Sequence, residues 1–144
     1  MTITTAPPYG PPLGLATAQR IMTAAETEAR RHGASVSIAI VDAAGHLVML
    51  QKLDDAQHSS VDVAIGKART AVNFRRPTKY YEDAIAAGGA GLRFLAMPGM
   101  TPFEGGVPIM VHDAIVGGIG VSGVRSDMDA QIAAAGEAQA RSSD

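Results

Sequence analysis

The sequence predicts an α+β fold in which helices pack on the faces of an antiparallel sheet of roughly five strands. Two pairs of alternating, β-branched segments are each joined by a short turn, at 35–42 with 46–53 and at 107–111 with 115–122. Strands that follow each other across a short turn run antiparallel, because a parallel pair needs a long crossover connection. A length of 144 residues fits one domain with a core of its own.

The other predicted elements surround the two hairpins. Apolar residues recur at helical spacing in four segments, and one further apolar run has the length of a short strand. These elements are helices at 15–31, within 59–78, at 78–87 and at 126–139, and a fifth strand at 92–97. Pro77 is expected to end the central helix because proline lacks the N–H that a helix needs. Ser59 or Ser60 is predicted to cap its start, and Asp62 follows three residues after Ser59, as in a capping box.

Small residues mark the surfaces on which helices are expected to pack closely. In the first strand, Ser37 and Ala39 occupy alternate positions, so one face carries little side-chain volume. The last strand is interrupted by Gly117, Gly118 and Gly120. Glycine inside a strand indicates that another backbone comes close, either within the subunit or from a neighbour.

The first twelve residues are rich in proline and are predicted to form a flexible arm, 1–12, which could reach a neighbouring subunit. Residues 13–141 then form a single domain. The N-terminus lacks the charged and apolar regions of a signal peptide. The absence of cysteine excludes disulfides and a cysteine nucleophile. We therefore expect a cytoplasmic protein.

Two classes of partner are not expected. The net charge is −2, and basic residues are not interleaved with aromatic ones, so we expect no binding of nucleic acid. No apolar run approaches the roughly 20 residues that a membrane-spanning helix needs, so we expect no membrane insertion. A small-molecule ligand remains the expected partner.

A basic corner in the second half of the central helix is the first candidate site. Lys67, Arg75 and Arg76 concentrate positive charge there. Cations near a helix C-terminus are favoured by the helix dipole, so these residues either serve the dipole or bind an anion. The backbone N–H groups of Gly105 and Gly106 form a second candidate element for an anion. All five are candidate ligand-binding residues.

Glu104 and His58 are the candidates for proton transfer. Glu104 lies between an apolar residue and two glycines in the loop 98–106, and apolar surroundings suit a general acid. An ion pair with Arg75 is the alternative role for this carboxylate. His58 ends an acidic loop at 54–58, and its imidazole can be a metal ligand or a general base.

Four segments carry a recognisable pattern: 37–48, 67–71, 104–109 and 117–123, the last followed by Asp129. Together they resemble the GlcG/HbpS-like haem-binding family, and the resemblance extends over residues 13–140. It implies a profilin-like fold, homo-oligomers, and binding of haem or another cofactor. His58 stands where an apolar residue is common in the family, and Asp55 stands where glycine is usual.

Two functional hypotheses follow, and a third possibility is an assembly or sensor subunit with no ligand. In the first, the chain is a small oligomeric protein that binds haem or a related carboxylated planar cofactor, with Arg75, Arg76 and Lys67 at the carboxylates. His58 would then face the metal. In the alternative, it is an enzyme of the isomerase, hydratase or decarboxylase type acting on a small organic acid, and Glu104 and His58 move protons. Both hypotheses need the basic corner and Glu104 to line one hollow.

Overall fold

The computed structural model describes residues 5–141, which form four α-helices, four strands and two 3₁₀ segments. The helices are α1 (Leu15–Arg31), α2 (Ser60–Phe74), α3 (Lys79–Ala86) and α4 (Ser126–Glu137). The strands are β1 (Ser37–Asp42), β2 (Leu47–Lys52), β3 (Gly106–Val111) and β4 (Ala114–Ser122), and the 3₁₀ segments are Gly89–Ala96 and Ala138–Arg141. Within this part of the chain, no helix is both long and apolar enough to cross a bilayer.

The strands form one antiparallel sheet in the order β2-β1-β4-β3, which confirms both predicted hairpins and the α+β class. The sheet has four strands, so the expectation of about five is wrong. The predicted strand at 92–97 lies in the 3₁₀ segment Gly89–Ala96 instead. Gly88 and Gly89 both have positive φ and turn the chain back onto α3, where Phe94 meets the Tyr81 ring at 4.9 Å. This segment contacts α3 through Phe94 and is not part of the sheet.

Helices cover both faces of the sheet. On one face, α1 and α4 pack on large aliphatic side chains and form the main core. Its fully buried members include Ile21, Ile38, Ile40, Ile109, Ile119 and Ile132. On the other face, α2 lies on β1 and β4. The two layers are therefore chemically different, one of large side chains and one of small ones.

The α2 face is built from residues that keep the helix backbone close to the sheet. The side chain of Ser37 meets Ser60 of α2 with 2.8 Å between their hydroxyl oxygens. A Cβ at Gly118 would stand 2.6 Å from the carbonyl oxygen of Ala68, and one at Gly120 would stand 2.1 Å from that of Ala64. The predicted close approach is confirmed here, and at these two glycines it lies within the subunit.

The ends of α2 differ from the expectation. Ser59 is the N-cap residue, but its side chain makes no capping hydrogen bond and its backbone is already helical. At the other end, the helix stops at Phe74, three residues before Pro77, which was expected to end it. Arg75 takes the left-handed conformation, with φ of 58° and ψ of 37°, and its N–H donates to the carbonyl of Val72.

The described part of the N-terminal arm lies on its own subunit. The N–H of Ile115 donates to the Pro8 carbonyl, and the N–H of Gly10 donates to the Ile115 carbonyl, both at 2.8 Å. The hydroxyl of Tyr9 donates to the carbonyl of Val72 at 2.7 Å. The arm thus connects β4 with the end of α2, while residues 1–4 lie outside the described part.

Candidate functional site

The basic corner opens onto a groove of about 450 Å³ between α2, β3 and α4. We call it the arginine groove. It is lined by Pro7, Arg75, Arg76, Pro77, Val107, Pro108, Met110, Ala134 and Glu137. Its volume lies within the range of small-molecule sites. Two guanidinium groups thus border a wall that is mostly apolar.

Neither guanidinium is paired with a carboxylate in the part of the chain that the structure describes. Within residues 5–141, no ion pair involves Arg75 or Arg76. Arg75 donates to the carbonyl of Pro7 at 3.5 Å and lies over the ring of Tyr9, with 5.8 Å from Cζ to the ring centroid. Arg76 lies over the ring of Tyr80 at 4.1 Å. Stacking on aromatic rings holds both groups in place, and apart from the contact of Arg75 with Pro7 their N–H donors have no partner among the described residues and are available for an anion.

Lys67 lies elsewhere. Its side chain is 2% exposed, and its ammonium donates to the carbonyl of Val121 at 2.8 Å and to Oδ2 of Asp129 at 3.1 Å. Burial lowers the pKa of Lys67, and the Asp129 carboxylate opposes that shift. Burial likewise raises the pKa of Asp129. At this distance and with these hydrogen bonds, the two groups form a charged pair that connects α2 to α4.

Two neighbouring cavities meet near this pair. A polar cavity of about 260 Å³ reaches Lys67 and Asp129, and its other polar side chains are Gln57, Ser59, Ser122 and Ser126. An apolar groove of about 650 Å³ lies between α2, α3 and the loop before β3. Val63 and Phe103 line both.

Glu104, Gly105 and His58 lie on the Lys67 side of the molecule. Glu104 and Glu82 are both close enough to act electrostatically on Lys67. A Cβ at Gly105 would stand 2.7 Å from Nζ of Lys67, so that glycine covers the ammonium. His58 is exposed in the loop before α2, and it lines neither the arginine groove nor the two cavities near Lys67.

Gly106 does not present a free N–H. The N–H of Gly106 donates to the hydroxyl of Thr78 at 2.9 Å, and the N–H of Thr78 donates to the carbonyl of Gly106 at 3.0 Å. These bonds join the start of α3 to the start of β3. Its backbone therefore supports the fold and leaves no donor for an anion.

The structure thus divides the predicted site residues into two sets. Arg75 and Arg76 line the arginine groove. Lys67 lies in the middle of α2, and Glu104 and Gly105 lie near it in the loop before β3. None of the cavities above is lined by both Arg75 and Glu104. The cavities described above therefore do not join the two sets, which both hypotheses place on one hollow. Among the described residues, no cluster of three or more metal-binding side chains occurs.

Sequence reasoning missed Asp129 as the partner of Lys67. A signal was present, because Lys67 falls on the same helical face as Ala64, Ala68 and Ala71, all fully buried. A lysine on such a face requires a buried counter-charge. The pattern does not say which of the acidic residues supplies it.

Comparison with known proteins places these features in a family. The model of the family described as haem degrading protein HbpS-like matches residues 13–138. Protein GlcG of Escherichia coli K12 is 41% identical over 105 residues, which are 73% of this chain and 77% of GlcG.

Solved structures of similar proteins support the same family. A double mutant of HbpS from Streptomyces reticuli has a TM-score of 0.81 at 34% identity, covering 96% of this chain and 89% of that one. A PduOC–haem complex has a TM-score of 0.80 at 27% identity, covering 89% of this chain and 94% of that one. The sequence resemblance is confirmed.

Proposed function

The chain belongs to the HbpS-like family, and on that premise we propose that it binds haem, or a related planar carboxylated cofactor, in the arginine groove. One structural neighbour is a complex with haem. The observation in this chain that carries the proposal is a pair of guanidinium groups beside an apolar wall, with no carboxylate partner among residues 5–141. The proposal concerns Arg75 and Arg76 and no longer includes Lys67.

The residues of the groove fit the two chemical parts of such a cofactor. Val107, Pro108 and Met110 present apolar surface to a flat ring system. Arg75 and Arg76 present planar forks of donors, which match carboxylates better than a lysine ammonium does. The carboxylate of Glu137, on the same groove, is paired with Arg141 and so does not compete for them.

Haem supplies an iron whose behaviour depends on its axial ligands. His58 was the predicted metal-facing residue, but it does not line this groove. We therefore expect His58→Ala to leave the haem absorption spectrum unchanged. A shift of the Soret band in that variant would restore His58 as an iron ligand.

The direct test is titration of the purified protein with ferric haem, followed by the Soret band and by thermal unfolding. We expect a Soret shift and a higher Tm in the wild type. Arg75→Ala and Arg76→Ala should each weaken binding about tenfold or more, because a hydrogen bond to a charged group contributes roughly 1.5–3 kcal/mol.

Arg30→Ala is the matched control. Arg30 is exposed on α1, pairs with Glu26 at 2.8 Å and lies outside the groove, so its loss should leave the affinity unchanged. Absence of any Soret shift in the wild type would disprove haem binding. Equal weakening by all three arginine variants would disprove the assignment to the groove and indicate unspecific attraction.

We further propose that copies of the chain associate. Leu92, Leu95 and Met97, in and after the 3₁₀ segment Gly89–Ala96, are 49%, 66% and 42% exposed. Large exposed apolar side chains in one segment are typical of a contact surface. Sedimentation velocity should show an oligomer, and Leu95→Asp should shift it towards the monomer. A monomer at all concentrations in the wild type would contradict this proposal.

A further inference from the structure

A second site lies where the polar cavity around Lys67 adjoins the apolar groove. We propose that this site captures an uncharged aldehyde or ketone with an apolar body, whose carbonyl carbon bonds to Nζ of Lys67 as an imine. The site uses none of the residues of the arginine groove. The inference therefore does not depend on haem binding.

The surroundings of Lys67 favour a reaction at its nitrogen. An ammonium has three N–H donors, and two of them are occupied by Val121 and Asp129. The polar cavity reaches this pair. Burial lowers the pKa of Lys67 and so increases the fraction present as free amine, which is the form that attacks a carbonyl.

The charges around Lys67 argue for a neutral ligand. Asp129 already balances the ammonium, and the carboxylates of Glu82 and Glu104 add negative potential. The remaining polar groups of the cavity are the serine hydroxyls and Gln57, which are uncharged. A carboxylated ligand would be repelled, whereas a carbonyl oxygen can accept hydrogen bonds from hydroxyl and amide donors.

The adjoining groove gives room for the rest of the molecule. Its wall includes Ile85, Phe94, Met100 and Phe103, and it is mostly apolar. The Phe103 side chain, 49% exposed, stands between the groove and the polar cavity. A ligand with its carbonyl at Lys67 would place a phenyl or alkyl group in this groove.

Formation of the imine requires no oxidant or reductant. The carboxylate of Asp129 takes a proton from the Lys67 ammonium, and the free amine adds to the carbonyl carbon. The nitrogen then passes its two remaining protons to the carbonyl oxygen, which leaves as water, and the C=N bond forms. One water is released for each imine formed, and Asp129 is the positioning and proton-accepting residue.

Reductive trapping tests this directly. The folded protein is incubated with phenylacetaldehyde and cyanoborohydride, and the modified lysines are located by peptide mass spectrometry. Besides Lys67, the chain has Lys52 and Lys79, both exposed, which serve as internal controls. We expect Lys67 to be labelled about tenfold faster than either, because a desolvated lysine is the activated nucleophile.

Two comparisons test the assignment further. In urea, the preference for Lys67 should disappear. Succinic semialdehyde, which carries a carboxylate, should lose the preference in the folded protein. Labelling of Lys67 that is slower than that of Lys52 and Lys79 in the folded protein, or equal to it, would overturn the proposal and leave the pair with a structural role only.

Discussion

Lys67 and Asp129 are each tolerated in the interior because the other is present. Their side chains are 2% and 3% exposed, and Asp129 also accepts the N–H of Val124 at 3.2 Å. Removing one member of a buried pair leaves the other charge without compensation, which typically costs about 3–5 kcal/mol. We expect Asp129→Ala to lower the free energy of unfolding by about that amount, measured by urea denaturation.

The double variant Lys67→Met with Asp129→Leu is the control for this prediction. It removes both charges and keeps apolar volume, so it should regain most of the stability lost by Asp129→Ala. If the double variant is as unstable as the single one, the loss comes from packing or from the Val124 hydrogen bond, and the pair is not the cause.

At the scale of elements, the contact between α2 and β4 depends on the absence of side chains. An added methyl group at Gly118 would meet the carbonyl of Ala68, and backbone cannot move aside as a flexible side chain can. We expect Gly118→Ala to destabilise the fold by at least about 2 kcal/mol. Gly14→Ala, where nothing lies within 4 Å, is the matched control and should change stability much less. A similar effect of both substitutions would show that helix–strand contact is not limiting.

The elements that the sequence predicts well are those whose residue pattern is compatible with only one type of secondary structure. The alternation in β1 and the β-branched residues around the glycines of β4 predict strands, and the structure confirms both. The segment at 92–97 is apolar without a period, and such a run suits a short strand as well as a 3₁₀ turn on a helix. The positive φ of Gly88 and Gly89 decided between them, and composition alone does not contain that angle.

The candidate site was predictable only in its local parts. Arg75 and Arg76 adjoin in sequence, and the structure places them on one groove. Lys67 and Asp129 are 62 positions apart, so their pairing depends on how α4 packs on the sheet. The separation of Arg75 from Glu104 has the same origin, because it is set by where the loop before β3 crosses α2.

At the scale of the whole molecule, Glu28 connects the first helix to the last. Its carboxylate accepts from Arg31 at 2.9 Å, from Gln131 of α4 at 2.9 Å, and meets Nε2 of His32 at 3.1 Å. The side-chain hydrogen bonds from Arg31, Gln131 and His32 lower the pKa of Glu28 to about 2, from 4.5. The ionised form is therefore favoured by folding.

This shift predicts a loss of stability in acid. A carboxyl group whose pKa is lower in the folded state contributes stability that is complete above pH 4.5 and declines as the pH falls towards about 2. We expect Glu28→Gln to be less stable than wild type at pH 7 and to lose less stability between pH 4.5 and 2. Parallel urea denaturation curves at both pH values measure this. If the free energy of unfolding falls by the same amount between the two pH values in both proteins, other carboxylates cause the acid sensitivity.

The left-handed backbone of Arg75 has a consequence for any attempt to improve this protein by selection. Position 75 follows the last residue of α2, where glycine is the residue that adopts this conformation without penalty. A library screened only for heat resistance should therefore enrich glycine at this position. The selected variants would be more resistant to heat but would lack the guanidinium group of Arg75. A screen of this kind therefore also needs a step that selects for cofactor binding.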